Sequence, residues 1–328
     1  MLIYFMPSRF SLETSPPPEP PPLSLARYLD RDLHLAYRQD ILALRQTGLL
    51  ELLPKSETMG LLGIDGKEYT VPTLEQIQQE LSKDKEIYET KLKQGFTQLQ
   101  LTPFGSPLGK LTELLKQSLL KHSKEGKLFG LDFDQHGNSK QVPLELDTSN
   151  PLYVWDQLNE ADDKGTLVYY PKQFTQDHGG KTKRQLLTEP ATFPGWRSLL
   201  LEPNPLIPRQ NKGKLISNRK QLEAGQSPEE YLKLLATNPT YTNEQGQTPE
   251  DWLTRFLIRL QRDNLVLNDY ANNVDSLNYL LGAYVPSSGD VPNGHWGRDF
   301  RRANLSRNYP QFRNGNCGAG SAVEIKDF

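Results

Sequence analysis

The sequence predicts an α+β fold, on three observations. Two helix starts are spelled almost alike, Ser227-Pro228-Glu229-Glu230-Tyr231-Leu232 and Thr248-Pro249-Glu250-Asp251-Trp252-Leu253. Short runs of β-branched, aromatic and apolar residues lie on both sides of them, bounded by Gly, Pro and Asn. No long βαβ pattern repeats along the first half. At 328 residues the chain exceeds the usual single-domain size, so more than one domain is expected. The expected division is a Pro-rich leader over 1–24, a mixed α/β N-terminal region over 25–190, and a C-terminal domain over 191–328 with an irregular tail, 289–325.

Residues 15–22 read S-P-P-P-E-P-P-P, a polyproline II segment that cannot join a helix or a central strand. It suits a stiff spacer; an SH3-type ligand would want a basic residue close by. Residues 25–53 are expected to be helical, with Leu29, Leu33, Leu35, Tyr37, Ile41, Leu42 and Leu44 as the apolar stripe and Gly48 as an interruption. Residues 59–71 form a hairpin turning at Asp65-Gly66. Residues 73–94 read as one charged helix capped by Thr73. A second helix, Leu108–Lys124, ends in basic residues before Gly126, as the helix dipole prefers. Residues 127–146 form another hairpin, with Phe129, Leu131 and Phe133 alternating onto one face. Residues 153–155 and 166–170 are strand candidates, and 196–201 is a buried strand leading to Pro203, Pro205 and Pro208.

The two helix starts follow. Each puts a hydroxyl at the N-cap, Pro at N1 and an acid at N3, a reciprocal capping box with charge matched to the dipole. Behind the second, Trp252, Phe256, Leu257 and Leu260 form a face that should bury against a sheet. A strand over 279–285 and a short terminal strand over 321–325 complete the expected elements.

Charge is balanced at −2, which gives no global pull toward nucleic acid or an anionic membrane. The single cysteine, Cys317, excludes an intrachain disulfide and a thiolate-rich metal site, and fits a reducing compartment. No apolar run approaches the roughly 18 residues of a membrane span. The opening M-L-I-Y-F-M lacks the basic start and apolar length of a signal peptide. A cytoplasmic location is the expectation, with no membrane partner.

Gly179-Gly180-Lys181-Thr182 matches only the last half of a phosphate-binding loop and reads as a solvated basic loop. The histidines His34, His122, His136, His178 and His295 show no ligand spacing. Glu160-Ala161-Asp162-Asp163 reads as a solvated acidic turn, with no second acidic cluster to complete a hard-cation site. No catalytic residue, no metal and no cofactor is expected.

The tail is the informative stretch. It shows neither helical period nor sustained alternation, and it carries five Arg against one Asp between Trp296 and Asn316. Trp296, Phe300, Tyr309 and Phe312 interleave with Arg298, Arg301, Arg302, Arg307 and Arg313, too many large rings for a solvated tail. Long irregular segments inside a globular chain tend to be functional.

Gly294-His295-Trp296, Arg301-Arg302-Ala303-Asn304-Leu305-Ser306-Arg307, Asn308-Tyr309-Pro310-Gln311-Phe312-Arg313 and Gly318 follow one another in an order that resembles the C-terminal end of the formylglycine-generating-enzyme and C-type-lectin-like superfamily. The match spans about forty residues, and Gly318-Ala319-Gly320-Ser321 departs from the Gly-Phe-Arg usual in that family. The resemblance implies a C-type-lectin-like C-terminal domain, and two helices ahead of a strand and a long tail fit that order. The same superfamily includes the variable proteins of diversity-generating retroelements, whose last segment is mutagenised at adenines. Asn codons are adenine-rich, and Asn293, His295, Asn304, Ser306, Asn308, Tyr309, Asn314 and Asn316 look like residues reachable from them.

Guided by those motif positions, Trp296, Asp299, Arg302, Ala303, Arg307, Pro310, Arg313, Gly318 and Ser321 are assigned to scaffold. His295, Phe300, Asn304, Asn308, Tyr309, Phe312, Asn314 and Asn316 are assigned to an exposed ligand-binding face, of the composition paratopes favour. The reading is a non-catalytic protein that binds a protein or other macromolecule through its tail. Two alternatives stay open: an enzyme, either of the formylglycine-generating kind or with its site in the N-terminal half, and a nucleic-acid-associated protein using the Arg/aromatic tail. Formylglycine-generating catalysis rests on a pair of C-terminal cysteines, which one cysteine cannot supply.

Overall fold

The computed structural model describes residues 24–326; the polyproline stretch 15–22 and the opening hexapeptide lie outside the described residues. The longer helices are α1 (Leu33–Gln46), α2 (Leu74–Lys83), α3 (Lys85–Lys93), α4 (Leu108–Lys124), α5 (Pro228–Thr237) and α6 (Pro249–Asp263). Two larger sheets are built from β1 (Gln98–Thr102), β2 (Leu152–Val154), β3 (Arg197–Leu201), β4 (Gln245–Gly246), β5 (Leu277–Tyr279), β6 (Val291–Gly297), β7 (Arg302–Asn308), β8 (Cys317–Gly318) and β9 (Ser321–Glu324). The first sheet has the order β4-β9-β3-β1 and is antiparallel throughout. The second has the order β8-β5-β6-β7-β2, antiparallel in the middle and parallel at both edges. The fold is therefore α+β.

Helix α6 is the pivot. Thr248 accepts from the Asp251 amide while Asp251 reaches back to the Thr248 amide at 2.8 Å, and Ser227 with Glu230 repeats the arrangement on α5. Trp252, Phe256, Leu257 and Leu260 are fully buried in one cluster with Leu44 of α1, Leu115 of α4 and Leu305 of β7. Strands from both sides of residue 190 share both sheets: β1 pairs with β3 over five residues, and β2 pairs with β7. The 25–190 and 191–328 regions are thus interleaved rather than set apart.

Several expected elements change. The helix expected over 25–53 is a short turn of helix, a π turn at Tyr28–Asp32 and then α1, with a strand at Glu51–Leu52. Leu33 and Leu44 face inward but Leu35 and Leu42 are exposed, because the buried stripe follows the 33-36-40-44 face. The helix expected over 73–94 breaks at Asp84, whose backbone leaves the helical region, giving α2 and α3. The strand expected over 279–285 divides between two sheets, β5 and a separate Ala283–Tyr284 strand against Val168–Tyr169. The hairpin at Asp65-Gly66 forms as read, with Gly66 at φ 75°.

Asp40 ties α1 to the first sheet: its buried Oδ2 accepts from the Leu101 amide at 2.7 Å. Burial pushes its carboxyl up to about 7. A folded-state pKa above the unfolded value near 3.9 makes its contribution complete below that value and lost as pH rises toward 7. Asp40→Asn keeps an acceptor for Leu101. It is expected to exceed the wild type in stability at pH 8 by on the order of 1–3 kcal/mol, the two converging near pH 4. Denaturation curves at both pH values check this; a difference independent of pH would refute it.

Candidate functional site

The tail is not irregular over most of its length. Strands β6 and β7 pair through seven consecutive residues, from Val291 opposite Asn308 to Gly297 opposite Arg302. A pleated pair sends alternate residues to opposite faces. One face carries Gly294, Trp296, Ala303 and Leu305 and packs on α6. Trp252 stands so close to Gly294 that a Cβ there would land inside the indole. The opposite face carries Asn293, His295, Arg302, Asn304, Ser306 and Asn308. Tyr153 of β2, opposite Asn304, extends it.

On this outer face Asn293 and Asn304 are buried, while Phe300 and Tyr309, just beyond the paired segment, stand 58% and 54% exposed. Asn293 donates to Asn308 at 2.7 Å, and Asn304 donates to the Arg302 carbonyl at 3.1 Å. The Arg302 guanidinium lies 5.2 Å from the Tyr153 ring and 5.4 Å from Phe300. Tyr270 meets His295 edge to face at 5.3 Å. Desolvation lowers the His295 imidazole to about 4, so it is neutral at pH 7. Three buried polar atoms here lack a protein partner: Asn293 Oδ1, His295 Nδ1 and Arg302 Nε. Such atoms carry a desolvation cost that water or a ligand can relieve.

The residues assigned to an exposed face divide three ways. Phe300, Tyr309 and Asn314 are exposed; His295, Asn308, Phe312 and Asn316 are half-buried; Asn304 is buried, which corrects its assignment. The cause is its place on β7 between β6 and β2, where His295 and Tyr153 stand directly opposite it on the same face. Phe312 leans on the cluster around Tyr231 and Tyr279, and its carbonyl accepts from the Tyr279 hydroxyl at 3.0 Å. Among the scaffold residues, Trp296, Ala303, Pro310, Gly318 and Ser321 are buried. Asp299, Arg307 and Arg313 are exposed, and the latter two are held by Asp290 and Glu230. The sequence reading named Arg298 among the tail arginines but gave it no role; it grips both oxygens of Asp269 and reaches Asp132 at 2.8 Å, fixing the turn between β6 and β7. That reading missed Tyr153 and Tyr270, which come to the face from 150 and 25 residues before it and carry no local signal.

Cys317 is buried beside Tyr279, and desolvation raises its thiol. With His295 neutral, the two do not form a thiolate–imidazolium pair. Among the described residues no three His, Cys, Asp or Glu side chains gather as metal ligands. The acidic run is not a wholly solvated turn: Asp162 is buried and accepts from Lys183 at 2.6 Å, with Glu250 2.8 Å from the same ammonium. Lys181 pairs with Glu189, and Thr182 caps a short helix. A cavity of about 540 Å³ lies elsewhere, lined by Phe104, Tyr170, Phe193, Trp196, Arg197 and Glu324. Tyr170 there holds φ 54°, an unfavourable conformation for a bulky residue. No helix among the described residues is long and apolar enough to cross a membrane. No family model, curated protein or solved structure matches the chain.

Proposed function

We propose that the chain is a non-catalytic binding protein with a C-type-lectin-like C-terminal domain, displaying a diversified surface of the retroelement variable-protein kind. The observation that carries this reading is the parity of the hairpin. Asn293, His295, Asn304, Ser306 and Asn308, all drawn from the adenine-rich codon set, share one face, and the intervening Trp296, Ala303 and Leu305 share the other. A mutagenised surface needs that separation, because side chains can then vary without touching the core. Unsatisfied polar atoms on this face and exposed Phe300 and Tyr309 beside it suit a protein or other macromolecular ligand, met by rigid rings and adaptable amides. The lone free thiol fits a cytoplasmic setting.

The nucleic-acid alternative is weakened by pairing. Arg298, Arg301, Arg307 and Arg313 each already meet a carboxylate, which leaves less positive charge for phosphates.

The test is a comparison of the two faces. His295→Tyr and Ser306→Asn are each expected to change stability by no more than about 1 kcal/mol. Ala303→Tyr, on the inner face, should cost several times as much through overpacking. A display library carrying Tyr, Asn, Ser, Asp, Gly and His at the five outer positions should then yield binders to unrelated proteins. Loss of folding throughout that library would sink the proposal.

A further inference from the structure

On α6, Arg255, Arg259 and Arg262 follow at spacings of four and three, one stripe of the helix. They line a cavity of about 70 Å³ together with Asp40, Gln98 and Asp263. That volume is several times the roughly 10–15 Å³ that one water needs. Arg262 is engaged by both oxygens of Asp263, at 3.2 and 3.3 Å. Arg255 donates to the Glu202 carbonyl and meets no carboxylate within 4 Å among the described residues.

Arg259 is the anomaly. It is only 8% exposed, yet it makes no ion pair and no hydrogen bond among the described residues, and its Nε is buried without a partner. A buried guanidinium without a counter-charge carries a penalty of several kcal/mol in general, and proteins pair such groups. Asp275 is the nearby negative charge: its Oδ1 accepts from the Ile207 and Ser276 amides and its Oδ2 is buried without a hydrogen-bond partner, yet no ion pair within 4 Å joins it to Arg259 among the described residues. Asp40 is bonded to the Leu101 amide. Desolvation and then repulsion from Arg259 lower Arg255 to about 10, and desolvation lowers Arg259; the charges of Glu202, Asp275 and Asp263 oppose these shifts without cancelling them.

We propose that this cavity binds a small tetrahedral oxyanion, inorganic phosphate, held by Arg255 and Arg259 with Arg262 at the mouth. Guanidinium forks match oxyanion geometry in a way that a spherical halide does not reward. The cavity has room for the ion but not for an attached nucleoside. The site is separate from the hairpin face and does not rest on the function proposed for it.

The experiment is thermal unfolding of the full chain in sodium phosphate and in sodium chloride at matched ionic strength and pH. Phosphate is expected to raise the melting temperature by several degrees more than chloride, with an increment that saturates as a single site. Arg259→Met should abolish the increment. Should Arg259→Met fail to fold, Arg255→Met serves, with at least a tenfold weaker phosphate dependence expected. Equal effects of the two salts on the wild type, or an undiminished phosphate increment in the variant that folds, would overturn the proposal.

Discussion

Trp252→Ala is expected to lower the unfolding free energy by roughly 3–5 kcal/mol. The indole is fully buried at the junction of α6 with the β6–β7 hairpin. It packs edge to face on Phe256 at 5.4 Å, and its Nε1 donates to Asn268 Oδ1 at 3.0 Å. Truncation removes apolar contact, opens a cavity, and strands a buried amide oxygen, and all three effects have the same sign. The backbone cannot relax easily into the gap, because Asn268 also receives the Trp296 amide through its carbonyl and anchors the neighbouring loop. Urea denaturation should show a lower midpoint at nearly constant slope. A loss below about 1 kcal/mol would mean that the hairpin does not lean on this ring, since large buried aromatics rarely come out so cheaply.

The second large effect is expected at Glu244. This buried carboxylate accepts from Arg219 through Nε at 2.7 Å and Nη2 at 2.8 Å, from Lys91 at 2.9 Å and from the Ser321 hydroxyl at 2.6 Å. It joins α3, the loop before β4 and strand β9. Glu244→Gln leaves two buried cations facing a neutral group, and breaking such a cluster typically costs 3–5 kcal/mol. Arg219 keeps Glu202 at 2.8 Å, which places the expected loss toward about 3 kcal/mol. Burial would raise the Glu244 carboxyl, but Arg219 and Lys91 outweigh it and hold it below its usual value. A depressed folded pKa gives stability that is complete above the unfolded value near 4.3 and is lost as pH falls through the folded one. The gap between wild type and Glu244→Gln should therefore be full at pH 7 and close in acid. A gap that stays constant down to pH 2 would contradict the assignment.

What was legible in the sequence is what local chemistry decides. The paired capping boxes at Ser227 and Thr248 need only residues three apart, and Asp65-Gly66 needs only a turn. Helix register was less legible. Leu35 and Leu42 are as apolar as Leu33 and Leu44, and only packing against β1 and α6 selects between them. The hairpin stayed hidden for a physical reason. Its inner positions are small, Gly294 and Ala303, to admit Trp252 and Trp296, so the hydrophobic alternation of a strand is faint. Its outer positions are Asn, Ser and His, which mostly favour turns. The candidate site was therefore found from residue identity, whereas its geometry depends on partners such as Tyr153 and Asp269, and the sequence holds no rule for bringing these to it. The unpaired guanidinium of Arg259 was equally invisible, because absence of a partner is a property of the folded chain alone.

The seven-residue register of β6 against β7 carries a consequence for how this protein can change over time. Codon swaps at the half-buried outer positions His295, Ser306 and Asn308 leave Trp296, Ala303 and Leu305 in place. Loss or gain of a single triplet upstream of Arg302 within the paired segment would turn the amides inward and Trp296 or Leu305 toward solvent. Lineages should therefore differ here in spelling and keep the same length.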